Sequence, residues 1–199
     1  MAAGKASSDK QLSLSGQLLL AMPGMEDPRF ARTVIFVVSH SESGAMGFVL
    51  NHPVTSPTFG EVLEEIGLKD EAATLAKLDE QPRIFRGGPV EQGRGFVIHS
   101  LDYGLATSTR IGDLGAITAT QEILRAMATG HGPAHAIMLL GYSGWGGGQL
   151  EEELLRNGWL TMPATRALLF DTPQEELYTA ALHSMGVSEE LLSGDAGHA

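Results

Sequence analysis

The sequence contains no cysteine and no hydrophobic run long enough to cross a membrane. Without cysteine, the chain cannot form disulfides, a thiolate nucleophile or a cysteine-ligated metal site. The longest apolar stretches, such as 134–140, fall far short of the ~20 residues that a membrane helix needs. The start of the chain has no basic segment followed by an apolar one, so we expect no secretion signal. These absences favour a cytoplasmic location and no membrane contact.

Positive charge is also scarce. The chain has 13 Lys and Arg residues against 24 Asp and Glu residues, a formal net charge of −11. Proteins that bind nucleic acids draw much of their affinity from Lys and Arg side chains that neutralise phosphates. The composition therefore disfavours direct nucleic-acid binding. The 199 residues, 43% of them hydrophobic, are enough for one domain with its own core.

Strand and helix signals are interspersed along the chain. We predict strands at 17–22, 33–39, 47–51, 83–86, 95–99, 105–108, 134–140, 159–161 and 167–170. Helices are predicted at 59–66, from the Thr118 cap to about 129, at 149–156, at 172–186 and after 188, with a partly helical excursion at 69–81. Many strands follow one another through short loops, which does not fit a regular βαβ alternation. The predicted fold class is α/β (α+β), with a mixed, mostly antiparallel sheet and helices packed on it.

Local signals mark the helix starts and the chain ends. Thr58 with Glu61, and Thr118 with Gln121, each have the spacing of a capping box. Residues 1–12 are predicted to be a disordered tail, 13–192 a single domain and 193–199 a frayed tail.

Three segments together carry a pattern of motifs that resembles the YqgE/AlgH family of bacterial proteins. These motif segments are GQLLLAMPGMEDPRFARTVIFVVSHSESGAMGFVLNHP (16–53), RGGPVEQGRGFVIHS (86–100) and LGYSGWGGGQLEEELLRNGWL (140–160). Their order and spacing resemble the family over nearly the whole chain. The resemblance implies a compact domain with a strongly curved or barrel-like sheet. It brings no biochemical activity, although AlgH-type members carry a regulatory label tied to exopolysaccharide control.

Ser143 lies in a sequence context similar to a nucleophile elbow, between a predicted strand and a predicted helix. The elbow pattern is G-x-S-x-G, and here Trp145 replaces the last glycine. Asp171 and His183 follow in the chain order of an α/β-hydrolase triad, but the alternating parallel sheet of that fold is not predicted. We therefore assign no catalytic residue.

The glycines of segment 144–148 have some likeness to a phosphate-binding loop. Gln149 stands where a dinucleotide fingerprint needs glycine. Glu151, Glu152 and Glu153 are expected in the first helical turn, where they would repel phosphate. We instead expect the glycines to let the backbone pack closely beneath Trp145 and the second tryptophan, at 159.

Histidines and acids are too scattered to predict a metal site. His99 with Asp102, and His131 with His135, are close in sequence, but glycine and proline interrupt 130–133 and there is no HExxH motif. We predict no metal and no cofactor.

Arginines flank an irregular glycine segment. Arg83, Arg86, Arg94 and Arg110 surround Gly87–Gly88–Pro89, an arrangement suited to holding a carboxylate or phosphate. The alternative is pairing with the chain's own acids, such as Glu91, Asp102 or Glu153.

The sequence favours a non-catalytic binding or regulatory protein, with a role in regulation of gene expression implied by the resemblance. It would act through a small anionic ligand or a protein partner. The alternatives are a hydrolase or transferase acting on a small anionic substrate, and a direct transcription regulator. The candidate surface comprises Asn51, His52, Arg86, Gly87, Gly88, Arg94, His99, Ser143, Trp145, Gln149 and Glu151.

Overall fold

The computed structural model describes residues 13–23, 30–76 and 81–192, so the predicted tails at 1–12 and 193–199 lie outside the described residues. The strands are β1 Gln17–Ala21, β2 Val34–Ser41, β3 Gly44–Val49, β4 Ile84–Arg86, β5 Val90–His99, β6 Thr109–Ile111, β7 Gly115–Thr118, β8 Ala136–Gly146 and β9 Trp159–Pro163. The helices are α1 Phe59–Glu65, α2 Lys69–Leu75, α3 Gln121–Ala128, α4 Gln149–Leu155, α5 Leu177–Ser184 and α6 Glu189–Leu192, with a π-helical segment at Ala167–Asp171.

The strands form one sheet that curls into a half-barrel. The order is β6-β7-β5-β8-β3-β2-β1-β9, and β4 pairs with β8. All pairings are antiparallel except that of β4 with β8. The first half of β8 lies between β5 and β4, and its second half pairs with β3. The predicted single domain with a curved, mixed and mostly antiparallel sheet is confirmed.

Apolar side chains cover both faces of the sheet. The inner face packs against α5 and the π-helical segment, and α5 contributes Leu177, Tyr178, Ala181 and Leu182. The outer face packs against α1, α2 and α3 over β4, β5 and β8, and against α4 over β1, β2 and β3. Residues 34–37 of β2 are fully buried, as expected for a β-branched strand covered on both faces.

The two predicted capping boxes have different outcomes. At α1, Glu61 N donates to Thr58 Oγ1 at 3.3 Å and Thr58 N donates to Glu61 Oε2 at 2.7 Å, so this prediction is confirmed. The prediction for Thr118 is wrong, because Thr118 ends β7 and its buried hydroxyl bonds His99 and Ser108. Helix α3 begins at Gln121 after a Thr120 N-cap whose side chain makes no capping bond.

Two predicted strands and one helix start are also corrected. Segment 105–108 is a turn closed by Ser108 N donating to Leu105 O at 2.9 Å, and strand pairing starts only at β6. Residues 167–170 are π-helical; Thr165 Oγ1 accepts from Leu168 N at 3.1 Å. Helix α5 starts five residues after Thr172, because 173–176 forms turns. Within the described residues, no helix is long and apolar enough to span a bilayer.

A tryptophan-lined cavity as the candidate binding site

A cavity of about 310 Å³ opens on the outer face of the sheet, beside α4. All three motif segments contribute to it: 16–53 supplies two residues, 86–100 supplies one and 140–160 supplies the rest. A volume near 300 Å³ with a mainly apolar lining is at the small end of the range for ligand sites. The lining residues are Phe30, Ile35, Pro89, Ser143, Gly144, Trp145, Glu153, Arg156, Gly158 and Trp159.

The Glu153 carboxylate fixes both tryptophans of this cavity. Trp145 Nε1 and Trp159 Nε1 donate to the same oxygen, Oε2, at 3.0 and 2.9 Å. Gln149 Nε2 donates to the other oxygen, Oε1, at 3.1 Å, across one turn of α4. Three N–H donors therefore share one carboxylate, and charge-assisted bonds of this kind are stronger than neutral ones. The indoles, 9% and 7% exposed, are held in place from α4.

The glycine turn before α4 is built for close packing. A Cβ on Gly147 would lie 2.5 Å from Glu42 O, and Gly148, the N-cap of α4, has φ +77°. Gly146 N donates to Gln149 Oε1 at 3.0 Å. The glycines thus let the chain turn from β8 into α4 against a neighbouring loop.

The glutamates of α4 differ from the prediction. Only Glu151 and Glu152 lie in the first turn. Glu153 follows that turn, and its carboxylate accepts from the indoles. Glu151 Oε1 is 2.9 Å from His40 Nε2, while His40 Nδ1 accepts from Leu14 N at 3.1 Å. Because Nδ1 accepts, Nε2 carries the proton given to Glu151, and this bond ties α4 to β2.

Gly87 and Gly88 cross closely over β8 beside the cavity. A Cβ on Gly87 would lie 2.3 Å from Gly141 O, and one on Gly88 would lie 2.1 Å from the Tyr142 carbonyl carbon. Gly87 O accepts from Val49 N at 2.8 Å and from the hydroxyl of Ser143 at 3.4 Å. The structure thus brings together three residues of the predicted surface, Gly87, Gly88 and Ser143.

The triad partners considered for Ser143 lie on the other side of the sheet. Ser143 lines the outer-face cavity, whereas His183 is on α5, which packs on the inner face, and Asp171 ends the π-helical segment. Strand β8 also continues through Ser143 to Gly146, so the strand-to-helix turn of a nucleophile elbow does not form at this serine.

Of the predicted surface, only Ser143 and Trp145 line this cavity, and His99 and Arg94 are among the residues that do not. His99 is fully buried, with Nδ1 2.9 Å from Ser100 O and Nε2 2.9 Å from Thr118 Oγ1, so its placement on a surface is wrong. Arg94 pairs with Glu91 at 3.0 Å and lies over the Phe96 ring.

Most of the arginines near the glycine segment have acidic partners within the chain. Besides the Arg94 pair, Arg83 pairs with Glu175 at 3.2 Å and Arg110 with Asp113 at 3.5 Å. The expected partner Asp102 instead accepts from the Ser100 hydroxyl and from Ala134 N. These two hydrogen bonds, the larger effect first, hold the pKa of Asp102 below its usual range. The exposed side chain of Arg86 has no ion-pair partner among the described residues.

Asn51 and His52 lie at the end of the ladder between β2 and β3. Asn51 Oδ1 accepts from Val34 N at 2.9 Å and its Nδ2 donates to Arg32 O at 2.7 Å, so this side chain serves the backbone. His52 Nε2 is 3.2 Å from Thr33 Oγ1. Burial, and secondly the charge of Arg86, lower the pKa of His52.

Sequence reasoning missed several lining residues, among them Phe30, Pro89 and Arg156. It also missed the role of Glu153, although Gln149 and Glu153 are four residues apart and so share a helix face. The pairing of Glu153 with Trp145 depends on how α4 packs on β8, which no local spacing reveals. Among the residues that the structure describes, no three His, Asp or Glu side chains form a group able to hold a metal ion.

Taken together, the curled half-barrel and the cavity on its outer face define a class of single-domain α/β proteins. The AlgH-like family model matches residues 18–190, and the chain belongs to this family.

Relatives and solved structures agree with this assignment. A UPF0301 protein of Rhizobium meliloti is 54% identical over 188 residues, covering 94% of this chain and 93% of the relative. One of Nitrobacter hamburgensis is 48% identical over 192 residues, covering 95% and 89%. The solution structure of AlgH from Pseudomonas aeruginosa matches with a TM-score of 0.72 and 40% identity over 100% of both chains. A Corynebacterium diphtheriae crystal structure, 21% identical over 89% and 90% of the chains with a TM-score of 0.65, shares the fold.

Proposed function

We propose that this protein is a non-catalytic binding protein, acting in regulation, that holds a small ligand or the side chain of a partner in the tryptophan-lined cavity. One observation carries the proposal. Both tryptophans of the chain line a single apolar cavity in which the three motif segments meet, and one carboxylate fixes them both.

The chemistry of the lining indicates what would bind. The Glu153 carboxylate already accepts three N–H groups, so it adds little further hydrogen bonding. Recognition then depends on contact with aromatic rings and on shape. At the rim, Arg156 is exposed and only weakly paired with Glu152 at 3.8 Å, a contact worth little in water. The preferred ligand therefore has an apolar or aromatic body and an acidic group that replaces this weak contact.

The partners of the polar groups favour binding over catalysis. The Ser143 hydroxyl donates to a backbone carbonyl, and the one carboxylate of the cavity lining, Glu153, accepts from the indoles. A hydrolase or transferase would need a nucleophile with a base in hydrogen-bond reach. The hydrogen bonds of His52 and His99 go to Thr33, Ser100 and Thr118 instead.

Tryptophan fluorescence can report on binding in this cavity, because both tryptophans of the chain belong to its lining. A panel of aromatic and aliphatic carboxylates should contain compounds that change the emission and raise the Tm together, because a ligand bound only to the folded state stabilises it. Changing Ser143→Leu places a larger side chain in the cavity and should abolish both effects. Ser143 is suited to this because it lines the cavity from β8 on the same face as Trp145, two residues further along the strand.

The matched control is Gly104→Leu, at a loop position where a Cβ has no neighbour within 4 Å. This variant should bind as the parent protein does. Binding that survives in folded Ser143→Leu would contradict the cavity as the site. Turnover of any of these compounds, lost in Ser143→Ala, would contradict the non-catalytic function.

A further inference from the structure

Two side chains able to carry positive charge, His52 and Arg86, lie directly opposite one another. An antiparallel bridge joins Pro53 to Phe85, Arg86 N donates to His52 O at 2.8 Å, and Val54 N donates to Ile84 O at 2.9 Å. This register pairs residue 52 with residue 86. Opposite residues of an antiparallel pair project from the same face, with Cβ atoms about 4.5–5.5 Å apart.

The alternation of side chains along β4 places this pair on the outer face of the sheet. Phe85 points into the inner core, whereas Ile84 packs in the cluster formed with α1, α2 and α3. Arg86, two residues after Ile84, therefore projects to the outer side together with His52. The backbone hydrogen bonds on both sides of the Pro53–Phe85 bridge, one of them within the pair itself, hold the two Cα positions of the pair in place.

The surroundings of the pair leave its charge without a counterion among the described residues. Thr33, bonded to the imidazole, is neutral, and Asn51 is neutral with both ends bonded to backbone. Arg83, by contrast, has an acidic partner. Like charges directly opposite on a ladder are destabilising. The chain has 24 acidic residues against 13 Lys and Arg residues, yet this cationic pair has no acidic partner among the described residues. An anion from solution could therefore neutralise it.

We propose that His52 and Arg86 together bind an oxyanion, the carboxylate or phosphate group of a small ligand. The guanidinium offers two parallel N–H groups that match such a group. The imidazole offers a third from Nδ1, which has no hydrogen bond among the described residues, while Nε2 faces Thr33. Binding favours the protonated imidazole, so affinity rises as the pH falls from 8 to 6. The site is separate from the tryptophan-lined cavity and does not depend on it.

Histidine NMR signals measure this site directly. Titration with inorganic phosphate, and separately with acetate, should shift the His52 imidazole signals and raise the pKa of His52, because a bound anion favours the charged form. Whichever anion binds more tightly identifies the group preferred. Arg86→Gln should weaken binding about tenfold or more, as expected when charge-assisted hydrogen bonds are lost, and Arg86→Lys should weaken it less.

The matched control is Arg166→Gln. Arg166 is another exposed arginine without an acidic partner among the described residues, and it lies over the Phe170 ring. This variant should bind as the parent does. If neither anion moves the His52 signals, or if binding is unchanged in folded Arg86→Gln, the proposal is wrong. The readout does not involve tryptophan fluorescence, so its failure and that of the cavity proposal are distinguishable.

Discussion

At the scale of single residues, Glu153 connects side chains four to eight positions away along the chain. Replacing it by alanine would leave two nearly buried indole N–H groups without their acceptor. An unsatisfied buried donor costs about 1–3 kcal/mol, so Glu153→Ala should lower the free energy of unfolding by about 2–4 kcal/mol. Tryptophan emission should shift to the red as water reaches the indoles. Denaturant titration followed by fluorescence and by circular dichroism measures both effects.

Glu152→Ala is the matched control for this prediction. Glu152 is the neighbouring exposed glutamate, 3.8 Å from Arg156, and surface pairs of this kind contribute ~0.5 kcal/mol or less. Equal losses of stability in the two variants would show that the hydrogen bonds of Glu153 to the indoles contribute no more than an exposed ion pair does.

The ionisation of His52 makes the free energy of unfolding depend on pH. Burial, and secondly the charge of Arg86, lower the pKa of His52 in the folded protein below its ordinary value of 6.5, so the unfolded chain binds more protons than the folded chain as the pH falls. The stability that the neutral His52 side chain gives the folded protein is fully present above pH 6.5. It is lost as the pH falls from 6.5 through the pKa that His52 has in the folded protein. Urea titrations in phosphate-free buffer should therefore show a smaller loss of stability below pH 6.5 in His52→Gln than in the parent. His131→Gln, at an exposed position, should keep the parent's slope; if it flattens the slope equally, His52 is not the cause.

Residue-scale predictions from sequence worked where all the partners are local. The box of Thr58 and Glu61 needs only residues three apart, and it was found. The burial of His99 depends on Thr118, 19 positions away across the β5–β7 pair, and it was missed. All three glutamates of α4 were expected to serve the helix terminus, but tertiary packing gives two of them, Glu151 and Glu153, other partners.

At the scale of elements, the crossing of Gly87–Gly88 over β8 fixes how the segment before β5 packs. A Cβ on Gly88 would lie 2.1–2.4 Å from three backbone atoms of Tyr142 and Ser143. Backbone cannot move aside as a flexible side chain does, so Gly88→Ala should cost about 3 kcal/mol or more. Thermal unfolding compares it with Gly93→Ala, in the adjoining strand β5, where a Cβ has no neighbour within 4 Å. Similar Tm values for the two variants would contradict this close approach.

The strands that the sequence predicted best are those buried on both faces, such as β2, whose apolar run reflects that burial. Segments 105–108 (LATS) and 167–170 (ALLF) hold only short apolar stretches and were misassigned. In the first, the hydroxyl and the amide of Ser108 close a turn on Leu105. In the second, Thr165 caps the start of the π-helical segment. Short apolar runs do not distinguish these outcomes, because the choice depends on one polar side chain and on the packing beyond.

At the scale of the whole molecule, β8 explains why three separated motif segments meet in one cavity. It pairs with β3 of the first segment and with β4 and β5 around the second, and it leads directly into α4 of the third. The sequence supplied the segments and the antiparallel class of the sheet. It could not supply the change of partner from β4 to β3 along β8, which brings Pro89 and Phe30 to the same tryptophans.

The excess of acids predicts how the whole molecule responds to salt. A net charge of −11 repels itself in the compact state, and salt screens this repulsion. Salt also weakens ion pairs, but many of those described join exposed side chains, such as Arg110 with Asp113, and contribute little. Raising NaCl from 20 to 200 mM (roughly a threefold decrease in the Debye length) should therefore raise the Tm, by about 2 °C. A fall in Tm would mean that the ion pairs outweigh the repulsion. Calorimetry with sodium chloride avoids confusion with phosphate, which should add its own stabilisation if it binds at His52 and Arg86.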